Sequence, residues 1–355
     1  MLVKLIYHTP DYHKLVEVTA RECYQSYDKI NESSHNFIRG ILDKGHVSIS
    51  SVGNMVFSIT WEDDKEYIDV ATELLLMKEI NNYIRWTLNP EDRFRILLSM
   101  NILTFMDIYK SFVKGDYWLY SLFPLILREV SKVKELIWFV DKEIELPPSK
   151  NTYAEMVKPD FYKPVILSDD YTALKRLGLT PRELDIHATI TVSMMVDRAS
   201  DLQFWRHSDM TGGCELSQRY VDRSNAELRD IVSIEKENPP NLIEFAIKNN
   251  LSVEEAKQIY YGLLEDLMNR TRRNIEEYHY FKEQFVKMGL GRKRSNELAR
   301  NLLPPNVSTR ITQCRPLRQW KHLFNLRDSV HAQIETRFDA KAIKEEFIKK
   351  GIEVE

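Results

Sequence analysis

Arg206, His207, Glu215, Ser217 and Arg219 fall within fourteen residues, shortly after Asp197, Arg198 and Gln203. So many hydrogen-bonding groups are hard to bury without a ligand. A guanidinium presents a planar fork matched to a phosphate or to a pyrimidine carbonyl edge, and serine, glutamine and backbone N–H groups add neutral donors. The set suits a nucleotide. Within it, Thr211-Gly212-Gly213 would let the backbone approach a cofactor closely, because glycine removes the side-chain barrier. The plainer alternative is a surface salt-bridge network around an ordinary turn.

Other chemistries are weaker in this chain. Ser217 has no histidine base at suitable spacing, so it reads as a binding residue and not a nucleophile. Cys214 beside cationic groups could become a thiolate able to add to a pyrimidine C6, but a small buried cysteine is the commoner case. His8 with His13, or His322 with His331, lack carboxylate or cysteine companions at ligand spacing, so no metal site is expected. There is no GxxxxGK[ST] loop, and Gly289-Leu290-Gly291 has neither a third glycine nor a preceding strand, which removes the P-loop and Rossmann cradles. The cluster Arg292-Lys293-Arg294 reads as a solvated basic turn in preference to a nucleic-acid contact.

The elements that position these residues can be read from pattern. Residues 2–7 form a short apolar run, followed after Pro10 by helical spacing of Leu15, Val18, Ala20 and Cys23. A helix over 36–43 should stop at Gly45. Over 47–61, alternation of Met55, Phe57 and Ile59 predicts a half-buried strand. Residues 65–146 change to long amphipathic patterns with seven aromatics between Phe105 and Phe123, and a proline-rich loop from Pro147 runs through Pro159 and Pro164. Strand-like alternation returns at 186–196. Ser252 with Glu255 predicts a capping box for a long helix over 251–288, and a last amphipathic helix spans about 316–337. The expected fold is α+β, a mixed or antiparallel sheet flanked by long helices. Its expected parts are an N-terminal catalytic portion at 1–64, a mainly helical insertion at 65–180, and a catalytic portion at 181–355 carrying the motif.

At 355 residues with 43% hydrophobic content the chain can bury a full core. A formal charge of −3 gives no global pull toward nucleic acid or an anionic membrane, so any anion must be held locally. Three scattered cysteines fit a reducing compartment. With no signal-peptide pattern and no apolar run of spanning length, a soluble cytoplasmic protein is expected.

The segment Arg206–Tyr220, RHSDMTGGCELSQRY, resembles the RHRxxSxNExSxRY motif of the flavin-dependent thymidylate synthases. Arg206-His207 and Glu215-Leu216-Ser217-Gln218-Arg219-Tyr220 match, and Asp197-Arg198 and Gln203 stand where the family carries its DRG segment and glutamine. Gly45-His46-Val47-Ser48 resembles GHxS, and Ala299-Arg300-Asn301-Leu302-Leu303-Pro304 resembles ARxxLP. Arg318, His322, Asn325, Arg327, His331-Ala332-Gln333 and Glu335 resemble RxxxHFLxLRxxxHAQxE. Four ordered segments over about 300 residues are more specific than any one of them. The chain departs at Ser208, Cys214, Ser51, Val52 and Pro316, and by one extra residue between Thr211 and Glu215. Most departures fall on the flavin and folate side.

The resemblance implies conversion of dUMP to dTMP, with methylenetetrahydrofolate as carbon donor and NADPH as reductant through FAD, in a homotetramer whose sites draw on several chains. It implies Gln203, Glu215, Ser217, Gln218, Arg219, Arg300 and Arg327 on the nucleotide. It implies His46, Ser48, Arg206, His207, Arg318 and His322 on the flavin, with Arg327 stabilising charge on the uracil. Helical spacing independently puts Arg318, His322 and Asn325 on one face and Arg327 and His331 away from it. Rival readings are a paralogue acting on UMP or dCMP or stopping at hydroxymethyl, a noncatalytic nucleotide-binding homologue, and a nucleic-acid module. Neither nucleic acid nor membrane is an expected partner.

Overall fold

The computed structural model describes residues 1–30, 35–88, 94–115, 121–144, 160–206 and 212–354. In its first part the chain forms β1 (Leu2–His8), α1 (Tyr12–Cys23), α2 (His35–Asp43), β2 (Met55–Thr60), α3 (Asp64–Ile80), β3 (Arg85–Leu88), β4 (Arg95–Met100), α4 (Ile102–Lys114), α5 (Phe123–Val130) and α6 (Lys134–Ile137). There follow β5 (Val165–Asp169), α7 (Tyr171–Arg176), α8 (Pro181–His187), β6 (Thr189–Asp197), α9 (Arg198–Trp205) and β7 (Gly212–Glu215). The remainder is α10 (Ile231–Glu237), α11 (Ile243–Lys248), α12 (Val253–Lys287), α13 (Arg292–Ala299), β8 (Ser308–Pro316), α14 (Leu317–Arg327) and α15 (Ile334–Lys349).

The strands make two four-stranded antiparallel sheets, ordered β1-β2-β4-β3 and β5-β6-β8-β7. With helices around them the fold is α+β, as the pattern of segments predicts. Met55, Phe57 and Ile59 of β2 enter one core, with α1 to α5. Val56 on the opposite face enters the second, with β6 and α14. β2 is therefore covered on both sides and not half-buried, which is why its outward residue is also apolar. The expected strand over 47–61 begins later, because Val47–Ser51 forms a 3-10 turn. Within the stretch 65–180 the chain also contributes β3, β4 and β5, and β4 runs hydrogen-bonded along β2.

Buried polar groups join the two sheets. His187 accepts or donates at both ring nitrogens, 2.8 Å from Thr87 Oγ1 and 2.8 Å from Ser99 Oγ, and its carbonyl accepts from Asn54 Nδ2 at 2.6 Å. Burial, with Arg85 nearby, lowers its pKa to about 3. Asp170, at the end of β5, accepts from Tyr7 Oη at 2.8 Å and Thr9 Oγ1 at 3.0 Å, so the first sheet is stitched to the second.

Helix boundaries test the capping arguments. The Ser252–Glu255 capping box is present and α12 runs 35 residues, about 52 Å at 1.5 Å per residue. Gly45 closes α2 with φ 81°, a conformation that costs glycine little. Three expectations fail. The last helix is broken into α14 and α15, because the chain leaves helical geometry over 328–333 before resuming at Ile334. Arg292-Lys293-Arg294 is the first turn of α13, not a loop turn. The strand expected at 186 starts at Thr189, after α8 is completed by a Thr180–Glu183 capping box. No helix among the described residues is long and apolar enough to cross a membrane.

Candidate functional site

β6 and β8 pair over nine residues, Thr189 opposite Pro316 and Asp197 opposite Ser308. Because the strands are antiparallel, α9 leaves β6 at one end of the pair and α14 leaves β8 at the other, about 27 Å apart. Both helices turn back over the same core, with Phe204 of α9 and Trp320, Leu323 and Phe324 of α14 all packed in it. Eight residues of α9 and eleven of α14 are about 12 and 16 Å long. Their C-terminal ends come close enough for the Arg206 charge to act on Arg327. Asp197 caps α9 by accepting from Ser200 N at 2.7 Å. Arg315, wholly buried on β8, braces both helices by donating to the Phe204 carbonyl and lying 5.2 Å from the Trp320 ring centroid.

The two helix ends carry Arg206 and Arg327. Burial, and then the neighbouring Arg206 cation, hold Arg327 below the ordinary guanidinium range. Two like charges are tolerable here because the C-terminal carbonyls of both helices carry partial negative charge. Gln203 lies one turn back on α9 and donates to Gln333 Oε1, at the start of α15. His207 to Thr211 fall outside the described residues, so the structure says nothing of His207.

β7 brings the second half of the motif alongside. Glu215 ends this strand next to Asp201 of α9, a residue only 2% exposed. Burial, reinforced by the negative charge of Glu215, pushes the Asp201 carboxyl up to about 8, while a hydrogen bond with Trp205 opposes the shift. Two ionised carboxylates can only accept, so this contact is a hydrogen bond when one of them is protonated. Asp201 is thus a site residue that spacing did not reveal. Its one sequence sign is a carboxylate two positions before Gln203, on a helix too short to show which face is covered.

Gly212 and Gly213 serve packing, and this corrects the expectation that they admit a cofactor. A Cβ on Gly212 would lie 2.0 Å from the Ser51 carbonyl oxygen, and one on Gly213, at φ 135°, would lie 1.9 Å from that of Thr312. Gly213 N–H donates to Ser51 Oγ at 2.9 Å. The glycines press β7 between β8 and the 3-10 turn after His46. Cys214 is buried, its thiol donating to the Thr19 carbonyl at 2.9 Å, and burial pushes its pKa well up. That disfavours a thiolate nucleophile.

Beyond β7, Ser217 N–H donates to the Cys23 carbonyl at 3.0 Å and Ser217 Oγ accepts from Arg219 N–H at 3.4 Å. Gln218 is buried, accepts from Arg198 Nη1, and has no partner for Nε2 among the described residues. Arg219 is exposed and donates from Nε to Glu297 Oε1 of α13 at 2.7 Å. Arg300 caps the C-terminal end of that same helix, also exposed. α13 thus carries one proposed anion ligand and restrains another. Arg318, His322 and Asn325 share the exposed face of α14, as helical spacing predicts. His331 is not on that helix. His46 and Ser48 are exposed at the 3-10 turn. The side chains of Arg206, Arg318 and His46 have no hydrogen bond or ion pair among the described residues.

Gln203 and Arg206 thus share α9, Glu215 of β7 reaches that helix at Asp201, Arg327 of α14 lies within the field of Arg206, and Arg219 turns to Glu297 of α13. Residues 184–350, which contain all of these elements from α9 to α15, match the family described as thymidylate synthase complementing protein. No curated protein matches the chain.

Proposed function

Since the chain belongs, through residues 184–350, to the thymidylate synthase complementing protein family, we propose that it is a flavin-dependent thymidylate synthase, forming dTMP from dUMP with methylenetetrahydrofolate and NADPH. The observation that carries this reading is the convergence of Arg206 and Arg327 at two helix ends. Two cations beside each other, one exposed and one half-buried, give this place a positive field that favours an anionic or electron-rich ligand.

In this reading Arg327 faces a uracil carbonyl, where a fixed positive charge stabilises the enolate that develops as C5 becomes nucleophilic. Gln203 and Glu215 orient the base edge. Ser217, Gln218, Arg219 and Arg300 hold the phosphate, which displaces Arg219 from Glu297 when it binds. Arg206, Arg318 and His46, whose side chains have no hydrogen bond or ion pair among the described residues, would hold FAD together with Ser48 and His322, and the motif resemblance adds His207. The chemistry such a cofactor would supply, with NADPH as reductant, is the hydride needed to take the transferred carbon to methyl. The exposure of His46, Arg318 and His322 supports a site completed by other copies of the chain in a homotetramer. The test is incubation with dUMP, methylenetetrahydrofolate, FAD and NADPH, followed by mass analysis. dTMP is expected, and a hydroxymethyl product or no nucleotide product at all rejects the proposed reaction.

Asp201 adds a pH signature to the same site. Its folded pKa of about 8 lies above the usual unfolded carboxylate value near 3.9, so the folded state binds the extra proton. Stability from this group is fully present below the unfolded value and is lost as pH rises toward 8. Asp201→Asn should therefore flatten the fall of stability between pH 6 and 8 by about 1.4 kcal/mol per pH unit, the slope of one proton. Urea unfolding across this range checks it, and parallel curves for the two proteins would refute the shared proton.

A further inference from the structure

A polar cleft of about 250 Å³ lies between the start of β8 and the loop 222–227, with Leu216 in its wall. Arg223, Thr309 and Arg310 line it. Arg223 and Thr309 are 3% and 1% exposed, yet Arg223 Nε and Thr309 Oγ1 have no hydrogen-bond partner among the described residues. Buried polar atoms without partners are uncommon and call for a ligand or water to complete them. Arg223 Nη2 is already used, donating to the carbonyl and hydroxyl of Ser308, which fixes the guanidinium plane. Arg310 lies 5.7 Å from the Tyr27 ring centroid and makes no side-chain hydrogen bond or ion pair among the described residues.

Two acids share the lining. Asp222 is already engaged, 2.6 Å from Lys282 Nζ and accepting from Ser224 Oγ at 2.6 Å. Glu227 is the other acid of the lining, and buried Glu22, which accepts from Ser193 and Thr312, also lies within the field of Arg310. We propose that this cleft is a binding site for a small oxyanion, a phosphate or a carboxylate, seated on Arg223, Arg310 and Thr309, with Glu227 accepting from a hydroxyl of the ligand. It goes beyond the nucleotide reading, because Ser217, Gln218 and Arg219 do not line the cleft and Arg219 turns instead to Glu297 on α13. The two places are coupled by backbone: Leu216 N–H donates to the Arg310 carbonyl at 2.8 Å. Filling the cleft would steady the segment from which the proposed phosphate ligands project.

The full-length protein is titrated by calorimetry with inorganic phosphate and, separately, with glutarate, using Arg310→Gln, Thr309→Val and Arg219→Gln variants. Saturable binding of either anion at the cleft is expected, weakened about tenfold or more in Arg310→Gln and measurably in Thr309→Val, while Arg219→Gln leaves glutarate binding unchanged and removes only a second site specific for phosphate. Preference for phosphate or for glutarate identifies which oxyanion the cleft takes. Arg310 is partly exposed, so its variant should fold, and Thr309→Val gives an independent reading at nearly constant volume. Absence of saturable binding, or binding abolished by Arg219→Gln and kept by Arg310→Gln, overturns the proposal. Because only the Arg219 arm touches the proposed nucleotide site, failure of one claim leaves the other readable.

Discussion

Replacing Arg327 with alanine is expected to lower the rate of dTMP formation by about 10²–10³-fold, the usual cost of removing one preorganised group at a developing negative charge. The structure adds a second expectation that separates chemistry from folding. Arg327 sits beside Arg206, and burial plus that like charge already weaken its hold on a proton. Removing it relieves repulsion, so thermal stability should stay the same or rise while turnover collapses. Arg327→Lys should recover only a small part of the rate, because an ammonium lacks the planar fork. Single-turnover kinetics beside a thermal melt would decide the matter. Unchanged turnover, or a melt lowered in step with activity, would count against a role at the uracil.

Arg229→Met should cost about 3–5 kcal/mol of folding stability, the largest structural effect we expect from one substitution. Arg229 is 1% exposed and bridges two buried carboxylates. Its Nε is 2.9 Å from Asp197 and its Nη2 is 2.8 Å from Asp339, while Nη1 donates to the Glu335 carbonyl at 3.1 Å. Burial weakens the charged guanidinium, but Asp339 and Asp197 outweigh that and hold its pKa above the ordinary value. Methionine fills the space and leaves two uncompensated acids. Combining it with Asp197→Asn and Asp339→Asn should restore much of the loss, since a fully neutral replacement removes the desolvation cost of all three charges. Chemical denaturation of the single and triple variants measures both, and an equally unstable triple variant would refute the electrostatic account. Asp197 also caps α9, so the single variant should loosen the helix that carries Gln203 and Arg206.

Much of the fold was legible where one local signal acted alone. The Ser252–Glu255 box located the start of α12, Gly45 the end of α2, and the apolar run at 2–7 the first strand. What stayed hidden depended on partners far along the chain. β3 and β4 read as part of an amphipathic helical stretch because their faces are fixed by β2, not by their own periodicity. The last helix read as continuous because its polar residues keep a helical spacing across the break at 328–333. At the site, the motif residues were legible as residues but their grouping was not. Asp201 gains its meaning from Glu215, fourteen positions later, and the two glycines from Ser51 and Thr312. Side-chain identity predicts which group can act; only the register of β6 on β8 decides what it acts beside.

That register turns chain length into a mechanical dimension. One residue added to α9 or α14 would carry its terminal arginine about 1.5 Å onward and about 100° around the helix, enough to swing it out of the gap that the two ends define. The spans 189–206 and 308–327 are therefore matched rods whose lengths are set against each other. Their residue counts should resist insertion and deletion even where the individual side chains along them can be exchanged.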